Sequence, residues 1–194
     1  MNRLFTADGK HHQQFFSITK LFPMKKFLVF VCVLLAVTAA SAQFKSASLQ
    51  ASGLTCAMCS NAINKSLKTL SFVESVESDI KTSSFAITFK EGVDINFDQL
   101  RKKVEDAGFS VAKLQVKAVF NNVAVQNDQQ VTVDGKVLHF LAVKNQQLSG
   151  EQTFTIIDKN FLPAKEYKKY AGLTKAESYK SGQANGMRVY HVTI

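Results

Sequence analysis

The chain has 194 residues, with 24 Lys and Arg against 15 Asp and Glu and a formal net charge of +9. Its basic residues are scattered, and pairs such as Lys102-Lys103 and Lys168-Lys169 are isolated. The charge therefore reads as solvated surface and excludes a concentrated nucleic-acid-binding face.

Residues 1–23 match neither a folded core nor a targeting signal and read as an upstream start, with Met24 as the true first residue. Met24-Lys25-Lys26 opens a secretory pattern. A positive start is followed by the apolar run Phe27 to Ala40 and by Ala40-Ser41-Ala42, whose small outer residues suit signal peptidase. Residues 24–42 are thus expected to be a signal peptide, cleaved between Ala42 and Gln43. The run is shorter than the roughly 18–20 apolar residues of a spanning helix. The membrane is then met only through the signal peptide before cleavage, and the mature protein is periplasmic or secreted. Cys32 lies inside the run and leaves with it. The remainder carries 19 Lys and Arg against 14 Asp and Glu, and it is long enough for two small domains.

Phe44 to Ser52 reads as a first strand with Phe44, Ala47 and Leu49 as apolar positions. Gly53-Leu54-Thr55-Cys56-Ala57-Met58-Cys59-Ser60 follows, a Gly-started turn with two thiols three residues apart. Thiolates are soft ligands that select Cu(I), zinc and other thiophilic metals. A helix starting near Cys59 would stabilise both thiolates through its N-terminal N–H groups. Cys-x-x-Cys also fits a redox pair, half of a zinc site or a disulfide staple. A structural zinc site needs four ligands, and neither a second Cys pair nor a nearby His exists here.

Ala62, Ile63, Leu67 and Leu70 give Cys59 to Leu70 one apolar helical face. Phe72 to Ser78 is a strand of imperfect alternation, and Phe85, Ile87 and Phe89 alternate cleanly in the next. Phe97, Leu100, Val104 and Ala107 mark a helix over Asp94 to Ala107, capped by Asp94 or Asn96 and stopped by Gly108. Phe109 to Val116 closes the set. The order strand-helix-strand-strand-helix-strand is that of a ferredoxin-like split β-α-β, an α+β sandwich with two helices on one face of four antiparallel strands.

Gly53, Thr55, Cys56 and Cys59 resemble the loop Gly-Met-Thr-Cys-x-x-Cys of the heavy-metal-associated domain, with Leu54 in place of Met. Ala62, Ile63 and Leu67 stand where that family packs its first helix. Phe72 to Val76 fits its next strand, without the usual Pro-Gly, and Ala107-Gly108-Phe109 fits its late Gly-aromatic loop. The resemblance covers about residues 46–116 and extends to copper chaperones, the N-terminal arms of metal-transporting ATPases and the periplasmic mercury-binding protein. It implies that Cys56 and Cys59 hold the metal. Leu54, Thr55 and Phe109 then surround the ligands, with Phe109 excluding water from them.

From Lys117 the periodicity changes to short β-rich runs: Val119-Phe120, Val123 to Val125, Val131 to Val133, Val137 to Val143 and Phe154 to Ile157. Asp134-Gly135 signals a two-residue hairpin turn. Ala164 to Ala171 is one short helix after Pro163, Thr174 to Gly186 a loop, and Met187 to Ile194 a last strand. The expected domains are 43–117, the metal domain, and 118–194, a small β-rich barrel or OB-like unit abutting it without a linker. His139, His191 and Met187 are the soft donors of this half. Nothing in the sequence brings them together, so they read as ordinary strand residues.

The expected function is that of an exported, non-enzymatic protein. It binds Cu(I) through Cys56 and Cys59 and exchanges it with a metal-donor or metal-acceptor protein, such as a metal-transporting ATPase or an efflux component. Zn(II), Cd(II) and Hg(II) are alternative cargoes. The competing expectations are a thiol–disulfide oxidoreductase and an envelope interaction module with a vestigial metal domain. Against the oxidoreductase stand Thr55 before Cys56 and Pro163 as the only proline of the mature chain.

Overall fold

The computed structural model describes residues 43–54 and 56–194. The stretches expected as an upstream start (1–23) and as a signal peptide (24–42, with Cys32), and Thr55, lie outside the described residues. None of the described helices is long and apolar enough to cross a membrane.

Strand β1 spans Gln43–Ser52, helix α1 Ala57–Lys68, β2 Val73–Asp79, β3 Ser84–Phe89, α2 Phe97–Asp106 and β4 Ser110–Val125. The strands lie in the order β2-β3-β1-β4, every neighbour antiparallel. Side-chain alternation explains the layering. Ala47, Leu49, Phe85, Ile87, Leu114 and Val116 are buried, while Ser48, Ala86 and Thr88 between them are exposed. The helices meet the apolar face with Ile63 and Leu67 of α1 and Phe97, Leu100 and Val104 of α2. Asn96 caps α2, its side chain accepting from the Gln99 N–H at 3.2 Å.

The second half does not fold as a separate barrel. Its strands β5 (Gln129–Val133), β6 (Lys136–Phe140), β7 (Gln146–Ile156) and β9 (Met187–Thr193) continue the same sheet in the order β4-β7-β9-β6-β5. Residue 117, the expected boundary, falls inside β4, and the described residues belong to one compact unit. The physical reason is the edge of β4. Sixteen residues at about 3.4 Å each run far past the four-stranded sheet and would leave a long row of unpaired backbone groups. Strand β7 covers that edge, from Leu114 opposite Ile156 to Val125 opposite Gln146. A bulge between Phe120 and Val123 interrupts the pairing, with Asn122 at φ 49°.

Aromatic rings join the two halves into one core. Phe44 of β1 meets Phe97 of α2 edge-on at 5.2 Å and Phe154 of β7 at 6.2 Å, and Phe97 meets Tyr190 of β9 at 5.1 Å. Such pairs add about 0.5–1.5 kcal/mol each beyond the area they bury.

The Asp134-Gly135 turn joins β5 to β6 as expected, both residues at positive φ, 48° and 72°. Helix α3 spans Ala164–Ala171, as the sequence pattern indicated. The stretch expected as a loop contains a four-residue helix α4 (Ser178–Ser181), ended by Gly182 at φ 72°, and the short strand β8 (Gln183–Ala184), which pairs with β9.

Candidate metal centre

The Cys loop lies between β1 and α1, at the end of the sheet. Gly53 turns the chain out of β1 at φ 83°, a conformation that glycine adopts without strain. Helix α1 starts at Ala57, two residues before Cys59, so Cys56 is the N-cap. Its backbone is extended, its carbonyl accepts the first helical bond from Ser60 N–H at 3.2 Å, and its Sγ accepts from Cys59 N–H at 3.3 Å. A sulfur thus fills the place usually taken by a Ser or Asp oxygen.

This placement separates the two thiols. The bond with Cys59, first through its side chain and then through its N–H, pulls the Cys56 thiol below its ordinary value. Cys59 shifts upward, first because its thiol is hydrogen-bonded to the Cys56 sulfur, then through partial burial and the charge on Cys56. The expectation that the helix start lowers both thiols is corrected accordingly: Cys56 alone occupies the cap. Both cysteines are free, Cys56 exposed and Cys59 partly so. Met58 between them is 84% exposed.

Of the residues expected around the sulfurs, Leu54 and Phe109 are held by the core and by neighbouring turns. Leu54 is half-buried against the main core, and its carbonyl accepts from Ser83 Oγ in the β2–β3 turn at 3.5 Å. Phe109 is also half-buried on that core. It is fixed by the end of α2, where Gly108 at φ 84° allows Gly108 N–H to reach Glu105 O and Phe109 N–H to reach Val104 O, at 2.9 and 3.1 Å. That pair of bonds is a Schellman motif. Phe109 therefore serves both as a core aromatic and as a residue of the loop that follows α2. Thr55 lies outside the described residues.

Two free sulfurs on one helix start, one exposed and one partly exposed, suit a soft ion. Among the described residues no group of three or more His, Cys, Asp or Glu side chains could hold a metal.

The β-rich half brings its histidines together after all. His139 of β6 and His191 of β9 are register partners on parallel strands, with ring centroids 5.0 Å apart. Met187 stands four residues before His191, about 13 Å along the strand, and is exposed, so the three do not converge. His191 Nδ1 lies 2.6 Å from Asp158 Oδ1 and Nε2 lies 3.0 Å from Ser178 Oγ. A carboxylate only accepts, so Nδ1 carries the proton and Nε2 of the neutral ring accepts from Ser178. The Asp-His-Ser chain has the connectivity of a nucleophilic triad. However, Ser178 is buried, and the neighbouring Tyr179 N–H is bonded to Ala176 O and unavailable to an oxyanion.

Asp158 also receives Arg188 Nη2 at 2.9 Å, and Arg188 bonds Asp98 of α2 through Nε at 2.8 Å and Nη2 at 3.2 Å. Tyr190 OH donates to Asp98 at 3.0 Å. Burial works against the Asp98 charge, yet Arg188 outweighs it and holds the carboxyl below its ordinary value. This clasp ties the metal-domain helix to the β-rich half. Its members stand at positions 98, 158, 188 and 190, a separation with no local sequence signal.

The model of the heavy-metal-associated domain family matches residues 48–110. Among solved structures, the yeast copper transporter domain Ccc2a is 28% identical over 34% of this chain and 90% of its own, with a TM-score of 0.31. Oxidized MerP from Ralstonia metallidurans CH34 is 26% identical over 37% of this chain and 97% of its own, with a TM-score of 0.32. The copper-binding domain of the P-type ATPase HMA7 is 25% identical over 34% and 86%, with a TM-score of 0.31. A comparison with curated proteins finds no match. Residues 48–110, with the Cys56–Cys59 loop at one end of their sheet, are thus a heavy-metal-associated domain.

Proposed function

We propose that this protein is an exported carrier of a soft metal ion, chiefly Cu(I), held by the thiolates of Cys56 and Cys59. One observation carries the reading: two free sulfurs, one the N-cap of α1, on the exposed loop of a heavy-metal-associated domain. An ion held by two thiolates, one of them fully exposed, is open to attack by a partner's thiolate, so it moves by ligand exchange without enzyme chemistry. The partner is a metal-donor or metal-acceptor protein, such as a metal-transporting ATPase or an efflux component. Zn(II), Cd(II) and Hg(II) compete through the same sulfurs. The apolar run Phe27 to Ala40 and the Ala40-Ser41-Ala42 site support export to the periplasm or beyond.

Titration of the reduced protein with Cu(I) against a competing chelator tests the reading. Tight one-to-one binding is expected in the wild type and none in a Cys56→Ser, Cys59→Ser double variant; equal binding by both sinks it.

The difference between the two thiols also favours a second reading, thiol–disulfide exchange with Cys56 as the attacking thiolate. Insulin reduction at the background rate would dispose of it.

A further inference from the structure

We propose that residues 164–182, comprising α3, the loop after it and α4, form an acid-released flap over the His139/His191 pair. The flap has little apolar hold of its own. Helix α3 fully buries none of its residues, and Tyr179 is the flap's one buried apolar side chain. Tyr179 sits with Leu141 and Ile157, both wholly buried, and Tyr167 stacks on it at 4.8 Å. Segments with so few buried contacts open at low free-energy cost.

The polar hold converges on the histidine pair. Thr174 Oγ1 donates to Asp128 Oδ1 at 2.8 Å, the oxygen that His139 Nε2 also reaches at 3.0 Å. Ser178 Oγ bonds His191 Nε2 at 3.0 Å. Three other ties are independent of the pair: Tyr179 OH to Ile157 O at 2.8 Å and, at the flap's end, Val189 N–H and Arg188 Nη1 to Gly182 O at 3.0 and 3.2 Å.

The weak point is His139 Nδ1. It is buried and has no hydrogen-bond partner. In the neutral ring Nε2–H serves Asp128 and Nδ1 is an idle acceptor. A second proton would have to sit on Nδ1 as a buried donor without an acceptor. Both nitrogens of the adjacent His191 are already engaged with Asp158 and Ser178. The titratable and charged groups around His139 are Asp128 in the turn between β4 and β5, His191 on β9, and, behind His191, Asp158 with Arg188. Tyr179 of α4 closes the cluster, edge-on to His191 at 5.0 Å. Burial first, and then His191, hold the His139 imidazole below its ordinary value of 6.5, against the pull of Asp128.

Lifting the flap lets water reach Nδ1 and returns the ring towards that ordinary value. The open form therefore binds more protons than the closed form below pH 6.5. Opening grows as pH falls, by at most about tenfold per pH unit for one proton. The open form exposes the apolar patch of Leu141 and Ile157.

Hydrogen exchange of the full chain, followed by mass spectrometry and corrected for intrinsic rates, tests this between pH 7.5 and 5. Protection of residues 164–182 is expected to fall steadily below the ordinary imidazole value, by less than about tenfold per pH unit, while β1 to β4 keep theirs. His139→Gln keeps a donor for Asp128 and cannot titrate, so its protection should be flat with pH. Asp128→Asn keeps the acceptor oxygen and suits the positive φ of 61° at that position. It removes the charge that attracts the second proton, so the onset should move to lower pH. If His139→Gln fails to fold, the Asp128→Asn onset carries the test. Protection of 164–182 that ignores pH, a wild-type response in His139→Gln, or an unmoved onset in Asp128→Asn would overturn the proposal.

Discussion

Among the described residues, two pairs of potential metal donors, two cysteines and two histidines, have opposite surroundings. Cys56 is exposed and Cys59 partly so, and the Cys56 sulfur accepts from Cys59 N–H at the helix cap. His139 and His191 are buried, and three of their four ring nitrogens are engaged by Asp128, Asp158 and Ser178. Donor chemistry alone makes both pairs candidate sites. Spare lone pairs and access distinguish them: the cysteines can give their lone pairs to an ion, whereas the histidines hold strands and flap together.

The largest effect should come from His191→Ala. It leaves Ser178 without a partner and strips the buried Asp158 of its imidazole N–H donor, at a cost of about 3 kcal/mol or more. Urea unfolding would show the loss, while Cu(I) affinity of the folded fraction should not change. A fall in Cu(I) affinity would break the contrast between the pairs.

Arg188→Ala comes next, at about 2–3 kcal/mol, since the guanidinium is partly exposed and solvent screens part of the loss. It carries a pH signature. Arg188 holds Asp98 below its ordinary value of 3.8. The stability this gives is complete above pH 3.8 and is lost as pH falls through the lowered value. The acid limb of a stability profile should therefore be shallower in Arg188→Ala than in the wild type.

How much of this was legible beforehand follows from the range of each signal. Phe85, Ile87 and Phe89 alternate, and Phe97, Leu100 and Val104 recur at helical spacing, so the first half and its loop could be read from local periodicity. Asp134-Gly135 fixed a turn by its own backbone preferences. The continuous sheet could not be read, because nothing local in Val116 to Val119 says whether a strand ends or runs on. That depends on β7, some thirty residues later, covering the edge of β4. The His139–His191 pairing and the Asp98–Arg188–Asp158 clasp depend on the same topology. At the loop itself the cysteines were legible, but a helix boundary displaced by two residues changed which sulfur is the cap.

Smaller effects sharpen the picture of the metal end. Gly108→Ala forces a side chain into φ 84° at a cost of about 1–2 kcal/mol. Because it disturbs the motif that fixes Phe109, it should also speed loss of Cu(I) to a chelator; an unchanged rate would show that Phe109 does not guard the ion. Smallest of all, Cys56→Ser should leave stability within about 0.5 kcal/mol, since a hydroxyl caps as well as a thiol, whereas Cys56→Ala should cost about 1 kcal/mol. Thermal unfolding of the apo proteins separates the two, and both should lose Cu(I).

The most direct test is thiol alkylation with residue-level mass spectrometry, on reduced apo protein and on protein loaded with one equivalent of Cu(I). Labelling of both Cys56 and Cys59 in the apo form and protection of both on loading are expected, because a bound ion occupies the sulfur lone pairs that would attack the reagent. Equal labelling with and without Cu(I) would mean that these thiols are not the ligands, and would contradict the assignment of this loop as the metal centre.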